Sequence, residues 1–274
     1  MTCTFRKEFI MDYQYILVDV KDRIATVTIN RPEYSNAFAR ESYFEIADAM
    51  NTLGTREDVG AIVITGAGKH FSAGGDIKRF KMLVDTGAYL KAEDIEAVSA
   101  MPMSIRNCPK PVIAMINGVA TGAGLSCALA CDFRIVEPSS KMIMAFVNMG
   151  LCGDNESIYT LMRLVGPDKA ELMMMTGDAY KGEQCVKTGL ATVLAEDGKL
   201  AETTYALAAK LASKSSTAHA GQKRLIRKYF YGGMENFAKD EGIEMAAASR
   251  QPDFTEAVNA FIEKRMPAYN LPHK

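Results

Sequence analysis

Apolar positions in this chain change period several times, and the changes divide it into strands and helices. Tyr15-Ile16-Leu17-Val18-Asp19-Val20 and Ile24-Ala25-Thr26-Val27-Thr28-Ile29 are alternating or continuous apolar runs rich in β-branched residues, joined by Lys21-Asp22-Arg23. That pattern predicts a hairpin. Arg31-Pro32-Glu33 closes the second strand, and spacing of three and four residues predicts an amphipathic helix from about Ala39 to Leu53. Ala61-Ile62-Val63-Ile64-Thr65 is a further strand, and a polar, irregular stretch extends to about Tyr89. A helix is expected to end near Asn107, because Pro109 and Pro111 block its continuation and open the strand Pro111 to Ile116.

Beyond that strand the pattern predicts a small-residue helix over Leu125 to Cys131, with short strands at Phe133-Val136 and Met142-Ala145. Helices follow over Ser157–Leu164, Asp168–Met175 and Gly182–Lys187, then a strand Ala191–Leu194 and long amphipathic segments from Lys199 to Lys264. Strand–helix units at similar spacing imply stacked α/β turns with right-handed crossovers. The expected organisation is an N-terminal tail over 1–13, an α/β core over 14–200 and a helical C-terminal region over 201–274.

Composition narrows the function. The 274 residues carry 32 basic and 33 acidic side chains, a net charge of −1, so no global field favours nucleic acid or an anionic membrane. No apolar run approaches the roughly 18 residues of a membrane span. Met1 to Phe9 lacks the apolar core of a secretory signal, Met11 is an alternative start, and a cytoplasmic protein is expected. The six cysteines show no framework spacing and read as reduced thiols. Cys127 and Cys131 share a helix face, which suits either a metal or, with no histidine nearby, plain apolar burial. Lys223, Arg224, Arg227 and Lys228 form either a solvated helical face or a phosphate patch.

Candidate chemistry lies at two glycine-rich turns, each after an apolar run: His70-Phe71-Ser72-Ala73-Gly74-Gly75-Asp76-Ile77 and Gly118-Val119-Ala120-Thr121-Gly122-Ala123-Gly124. Small residues let backbone N–H groups approach a ligand oxygen. Two such groups aimed at one carbonyl form an oxyanion hole, which suits enolate chemistry on a thioester. Either turn alone also reads as a tight strand-to-helix connection. A dinucleotide fingerprint fits poorly, since the second turn lacks a third glycine at the required spacing.

Taken in order, several motifs resemble the crotonase (enoyl-CoA hydratase/isomerase) superfamily. They are Ile29-Asn30-Arg31-Pro32 with Asn36-Ala37, Phe71 to Ile77, Lys110 to Ala114 with Asn117-Gly118, Ala130-Cys131-Asp132, Thr176-Gly177-Asp178 with Gly189-Leu190, and Phe261 to Arg265. The resemblance implies an α/β spiral of ββα turns with a helical C-terminal region, assembled as a homotrimer or a dimer of trimers. It implies an acyl-CoA substrate with no cofactor besides the CoA that the substrate carries, and no metal. It places the oxyanion hole at the amides of Gly75 and Ala123. CoA would contact Ser35 to Ala37 and Ala73 to Ile77, so Ser35, Ala37, Ala73, Asp76 and Ile77, with Phe261 and Lys264 at the nucleotide end.

One departure decides the expected chemistry. Hydratases of this family use two glutamates, and the glycine frame sets Ser126 and Phe146 at those positions. A phenyl ring cannot accept a proton and an unassisted hydroxyl is a poor base. The isomerase branch carries an acid at the position of Asp154, and Met144-Ala145-Phe146 also resembles that branch. A single carboxylate suffices to move a proton from C2 to C4 of a 3-enoyl thioester. Asp154 needs its pKa raised above the ordinary value of about 3.9, which burial near Phe146 and Met149 supplies. A helix beginning near residue 154 would oppose that shift and offers Asp154 a second reading, as a helix cap. Glu156 is a fallback base, expected to point away on that helix if Asp154 points in. Phe80 to Met103 is expected to shape the acyl pocket, or simply to pack the core. Thioester hydrolysis, C–C cleavage, atypical hydration and a silent acyl-CoA-binding subunit stay open as alternatives.

Overall fold

A computed structural model describes residues 12–269; most of the expected tail lies outside them. The hairpin forms as β1 (Ile16–Lys21) and β2 (Ile24–Ile29), followed by α1 (Arg40–Thr55), β3 (Ala61–Gly66), α2 (Ile77–Thr86), α3 (Ala92–Val98) and α4 (Ala100–Asn107). The middle of the chain is β4 (Val112–Met115), β5 (Val119–Thr121), α5 (Ala123–Ala130), β6 (Phe133–Val136) and β7 (Lys141–Ile143). Then come α6 (Ser157–Val165), α7 (Pro167–Thr176), β8 (Ala179–Lys181), α8 (Gly182–Thr188) and β9 (Val193–Leu194). Four helices close the chain: α9 (Leu200–Ala212), α10 (Ser216–Tyr229), α11 (Met234–Ala248) and α12 (Pro252–Ile262).

The strands form two sheets. The larger has the order β1-β2-β3-β4-β6-β9 and the smaller β5-β7-β8. After the antiparallel β1–β2 hairpin, every pairing in the larger sheet is parallel. Every residue of β3 is buried, as a central parallel strand requires, whereas β1 alternates between exposed and covered positions at the edge. Successive strands enter different sheets: β4 joins the larger and β5 the smaller before α5, and β6 and β7 repeat the step before α6. In the two earlier turns the second strand shrinks to a single bridge, Phe38↔Gly75 and Ser72↔Ala120. The result is the α/β spiral of ββα turns with a helical C-terminal region.

Helix α1 buries Tyr43, Ile46, Ala47, Met50, Leu53 and Gly54, a stripe at helical spacing that faces the main core. Each fully covered aliphatic side chain in such a stripe is worth roughly 1.5–3 kcal/mol relative to exposure. On the opposite face of the larger sheet, α9 sets Ala208 and Ala212 against Ala61, Val63, Ile113 and Ile135.

Three expectations change. The stretch read as irregular up to Tyr89 contains α2, which Asp76 caps by accepting from the Lys78 amide at 2.9 Å and Gly87 ends in the left-handed conformation. Three cations hide its apolar face, so helical periodicity is weak there although both end signals are present. The second glycine turn is not all loop, because Val119–Thr121 pairs with β7 as β5. Helix α6 begins at Ser157, as its apolar spacing predicts, with Glu156 at its N-cap position, so the helix start near residue 154 that would have made Asp154 a cap does not occur.

Candidate active site

The two glycine turns are stitched together by backbone. Ser72 N–H donates to the Val119 carbonyl at 3.1 Å, and Thr121 N–H to the Ser72 carbonyl at 3.1 Å. Gly74 has φ +85°, and a Cβ there would stand 2.7 Å from the Thr121 oxygen and 3.3 Å from the Ala123 nitrogen. Only glycine permits that approach. It brings Gly75 and Ala123 to one cavity, of about 530 Å³. Ala123 is the first residue of α5, where an N–H has no intrahelical acceptor. Neither the Gly75 nor the Ala123 amide donates to a protein acceptor among the described residues.

A buried scaffold supports the first turn. Asn36, fully covered and left-handed at φ 57°, donates to the carbonyls of Ala67 and His70 and accepts from Arg31 N–H. Ser72 Oγ donates to the Asn36 carbonyl at 2.7 Å and accepts from Gly74 N–H at 3.1 Å. Arg31 pairs with Asp76 at 3.0 Å and donates to the Ala37 carbonyl. The residues expected along CoA are thereby held in one rim: Ser35, Ala37, Ala73, Asp76 and Ile77 all line the cavity. Lys264 does not. It is exposed and left-handed at φ 54°, while Phe261 and Arg265 stand on the wall.

Asp154 and Phe146 lie on the same wall. Asp154 Oδ1 is buried without a hydrogen-bond partner among the described residues. The loop that carries it is fixed through main chain: the Asp154 carbonyl accepts from Ser157 N–H at 3.2 Å and bonds with Ser126 Oγ at 3.3 Å. Ser126 also reaches the Gly122 carbonyl and is not part of the cavity wall. Its side chain thus braces the acid's backbone. Burial pushes the Asp154 carboxyl up to about 6, while the Asn155 amide and the Arg79 guanidinium pull the other way. Its side chain caps no helix, since Glu156 occupies the cap position of α6 and no side-chain bond is made there.

Glu156 lies off the cavity, but not through helical geometry. Asn155 and Glu156 are both left-handed, at φ 56° and 52°, before α6 begins. The conformation is costly for such residues and is held by the Glu156 N–H donating to Glu241 Oε2 at 2.7 Å. Both glutamates are buried. Burial raises Glu156 to about 8 and Glu241 well above the ordinary carboxylate range, and the neighbouring acids push each further up.

Three residues absent from the sequence reading matter to this site. Tyr43, at helical spacing on α1, reaches the cavity with its ring 5.0 Å edge-on from Phe38. Arg79 lines the cavity from α2, and Glu241 approaches from a helix 85 residues away. The cap at Asp76 could have indicated α2 and so Arg79; nothing local indicated Glu241. In the acyl-pocket segment Phe80, Leu90, Ile95 and Val98 line the cavity, whereas Met101 packs in the core. Elsewhere, Lys223 of the basic run is tied to Asp132 at 2.6 Å and Arg227 to Glu235, leaving Arg224 and Lys228 exposed. Cys127 and Cys131 are buried in apolar packing.

The chain has relatives among known proteins along most of its length. The family model described as enoyl-CoA hydratase/isomerase matches residues 19–271. The chain belongs to the enoyl-CoA hydratase/isomerase family. It is 31% identical over 260 residues to a trans-2-decenoyl acyl-carrier-protein isomerase of Streptococcus mutans, covering 94% of this chain and 99% of that one. It is 30% identical to a 1,2-epoxyphenylacetyl-CoA isomerase of Escherichia coli, covering 93% and 98%. A crystal structure of an enoyl-CoA hydratase from Mycobacterium avium subsp. paratuberculosis superposes with a TM-score of 0.85 at 27% identity, covering 94% and 100%. Hydratases and isomerases of the family thus stand at similar distances, so chemistry has to be argued from the site.

Proposed function

We propose that this protein is an acyl-CoA isomerase that shifts a double bond from the 3,4 to the 2,3 position of an enoyl thioester. The thioester oxygen would accept from the Gly75 and Ala123 amides, which have no acceptor among the described residues. Asp154 takes a proton from C2, the electron pair spreads over a dienolate whose negative charge rests on that oxygen, and the same carboxyl returns the proton to C4. A carboxyl titrating near 6 is mostly ionised at neutral pH yet more basic than an unperturbed aspartate.

The carrying observation is that, among the described residues, Asp154 is the one fully buried acid on the cavity wall and its Oδ1 has no hydrogen-bond partner, while Ser126 is tied to main-chain carbonyls and Phe146 presents a ring. Asp76, the other acid on the cavity wall, is engaged by Arg31 and the Lys78 amide. A two-glutamate hydration therefore lacks its second base. The test is to incubate the protein with a 3-enoyl-CoA and follow the absorbance of the conjugated 2-enoyl thioester. Conjugation that disappears in Asp154→Asn supports the reading. Release of free CoA thiol without conjugation would replace it with thioester hydrolysis.

A further inference from the structure

The cavity holds a charged group that this mechanism does not use. Arg79 lies on its wall and is partly shielded from solvent. Every other arginine among the described residues with comparable or greater shielding (Arg31, Arg40, Arg56, Arg106, Arg134, Arg227) has a hydrogen bond or ion pair. The Arg79 guanidinium makes no ion pair and donates to no protein acceptor among those residues; the arginines whose side chains share this state, Arg23, Arg224 and Arg250, are exposed. A shielded guanidinium gives up hydration and is stabilised when an anion restores its bonds.

Its surroundings locate the missing partner. Arg79 acts electrostatically on Asp154 and Tyr43, both buried residues of the cavity wall, which the buried Leu90, Ile95 and Val98 line with apolar surface. The other cations on the wall, Lys78 and Arg265, are exposed, and Lys78 Nζ sits 4.4 Å over the exposed ring of Tyr34. Arg79 is therefore the cation placed to meet the acyl portion of a ligand, and its planar fork matches a carboxylate. We propose that Arg79 is a specificity-determining residue that receives a carboxylate, or an equivalent oxyanion, borne on the acyl chain, so that the preferred substrates are acidic acyl thioesters. This rests on reading the cavity as an acyl-CoA site.

Binding of three unreactive ligands to the full-length protein tests it: hexanoyl-CoA, the CoA monothioester of adipic acid, and free CoA, measured by calorimetry near neutral pH. The acidic thioester is expected to bind roughly tenfold or more tighter than hexanoyl-CoA. Arg79→Gln should level the two, and Arg79→Lys should keep part of the preference, with the melting temperature checking the fold of each. Equal affinities in the wild type overturn the proposal, as does a preference that survives Arg79→Gln. An equal weakening of all three ligands in Arg79→Gln also overturns it, by making Arg79 a contact to the CoA phosphates. Because none of the ligands can be isomerised, a failed double-bond shift leaves this result intact; absence of binding by all three overturns both readings.

Discussion

Asp154 and Glu156 are the same chemical group two residues apart, and the fold gives them different surroundings. Asp154 faces the cavity with one oxygen unpartnered among the described residues and titrates near 6. Glu156 is sealed behind it against Glu241 and titrates near 8, burial outweighing the Ser99 hydroxyl, which favours the charged form. Left-handed backbone at Asn155 and Glu156 turns the second acid inward, whereas a continuous helix would have carried it around the axis. Burial alone raises a carboxyl; burial beside the reacting space makes a base. The contrast assigns chemistry to the first acid and structure to the second.

The largest expected effect separates the two directly. Asp154→Asn should lower the rate of double-bond shift by on the order of 10²–10⁴-fold, the usual contribution of a positioned base. Glu156→Gln, isosteric and neutral like the protonated acid it replaces, should stay within about threefold near neutrality. Initial rates of conjugation on one 3-enoyl-CoA measure both. A Glu156→Gln loss as large as that of Asp154→Asn would end the distinction.

A second way to break it acts on the opposite wall. Gly74→Val places a side chain against the Thr121 carbonyl at a positive φ, so the two turns must separate. Displacing one amide from a shared oxygen should reduce kcat/KM on the order of a hundredfold. Gly74 itself places no side chain in the main core, so the fold should survive, and circular dichroism checks that. Unchanged kcat/KM would remove the oxyanion role from these turns.

The pH profile sharpens the assignment with a smaller effect. A base must be ionised to act, so kcat/KM should fall about tenfold for each pH unit below the Asp154 value near 6, and level off above it. Profiles of kcat/KM on the free enzyme report that value. A limb near 4 would mean that Asp154 is more solvated than its surroundings indicate.

What could be read from the chain divides along the same line. The glycine turns, the hairpin, α1 and the parallel strands were legible because each is a local pattern: small residues after an apolar run, period two, period three to four. Asp154 was legible only through the resemblance, since nothing within ten residues of it distinguishes a base from a helix cap. Helix α2 was missed because Lys78, Arg79 and Lys81 interrupt its stripe, and with it went Arg79. Glu241 could not be found, because its partner is an N–H 85 residues away and main-chain donors leave no signature in the sequence. Backbone sites are written locally; the environment of a buried acid is assembled by the whole fold.

Stability carries the last and smallest test, and it depends on no substrate. Glu156 is raised from an ordinary 4.5 to about 8. The native state therefore holds this proton more tightly than the unfolded chain. The stabilisation is fully present below about 4.5 and is lost as pH rises through 8. Between those values each pH unit should cost up to about 1.4 kcal/mol for this one group, or about 2–6 °C of melting temperature. Glu241, raised in the same direction by burial and by Asp154 and Glu156, adds to the slope. Glu156→Gln cannot ionise, so its melting temperature should decline less steeply across that window and exceed the wild type's at pH 8 and above. Thermal unfolding at intervals from pH 5 to 9 measures both curves. Parallel curves would mean that Glu156 is solvated and charged in the folded protein, and the separation between a working acid and a sealed one would then have to be drawn elsewhere.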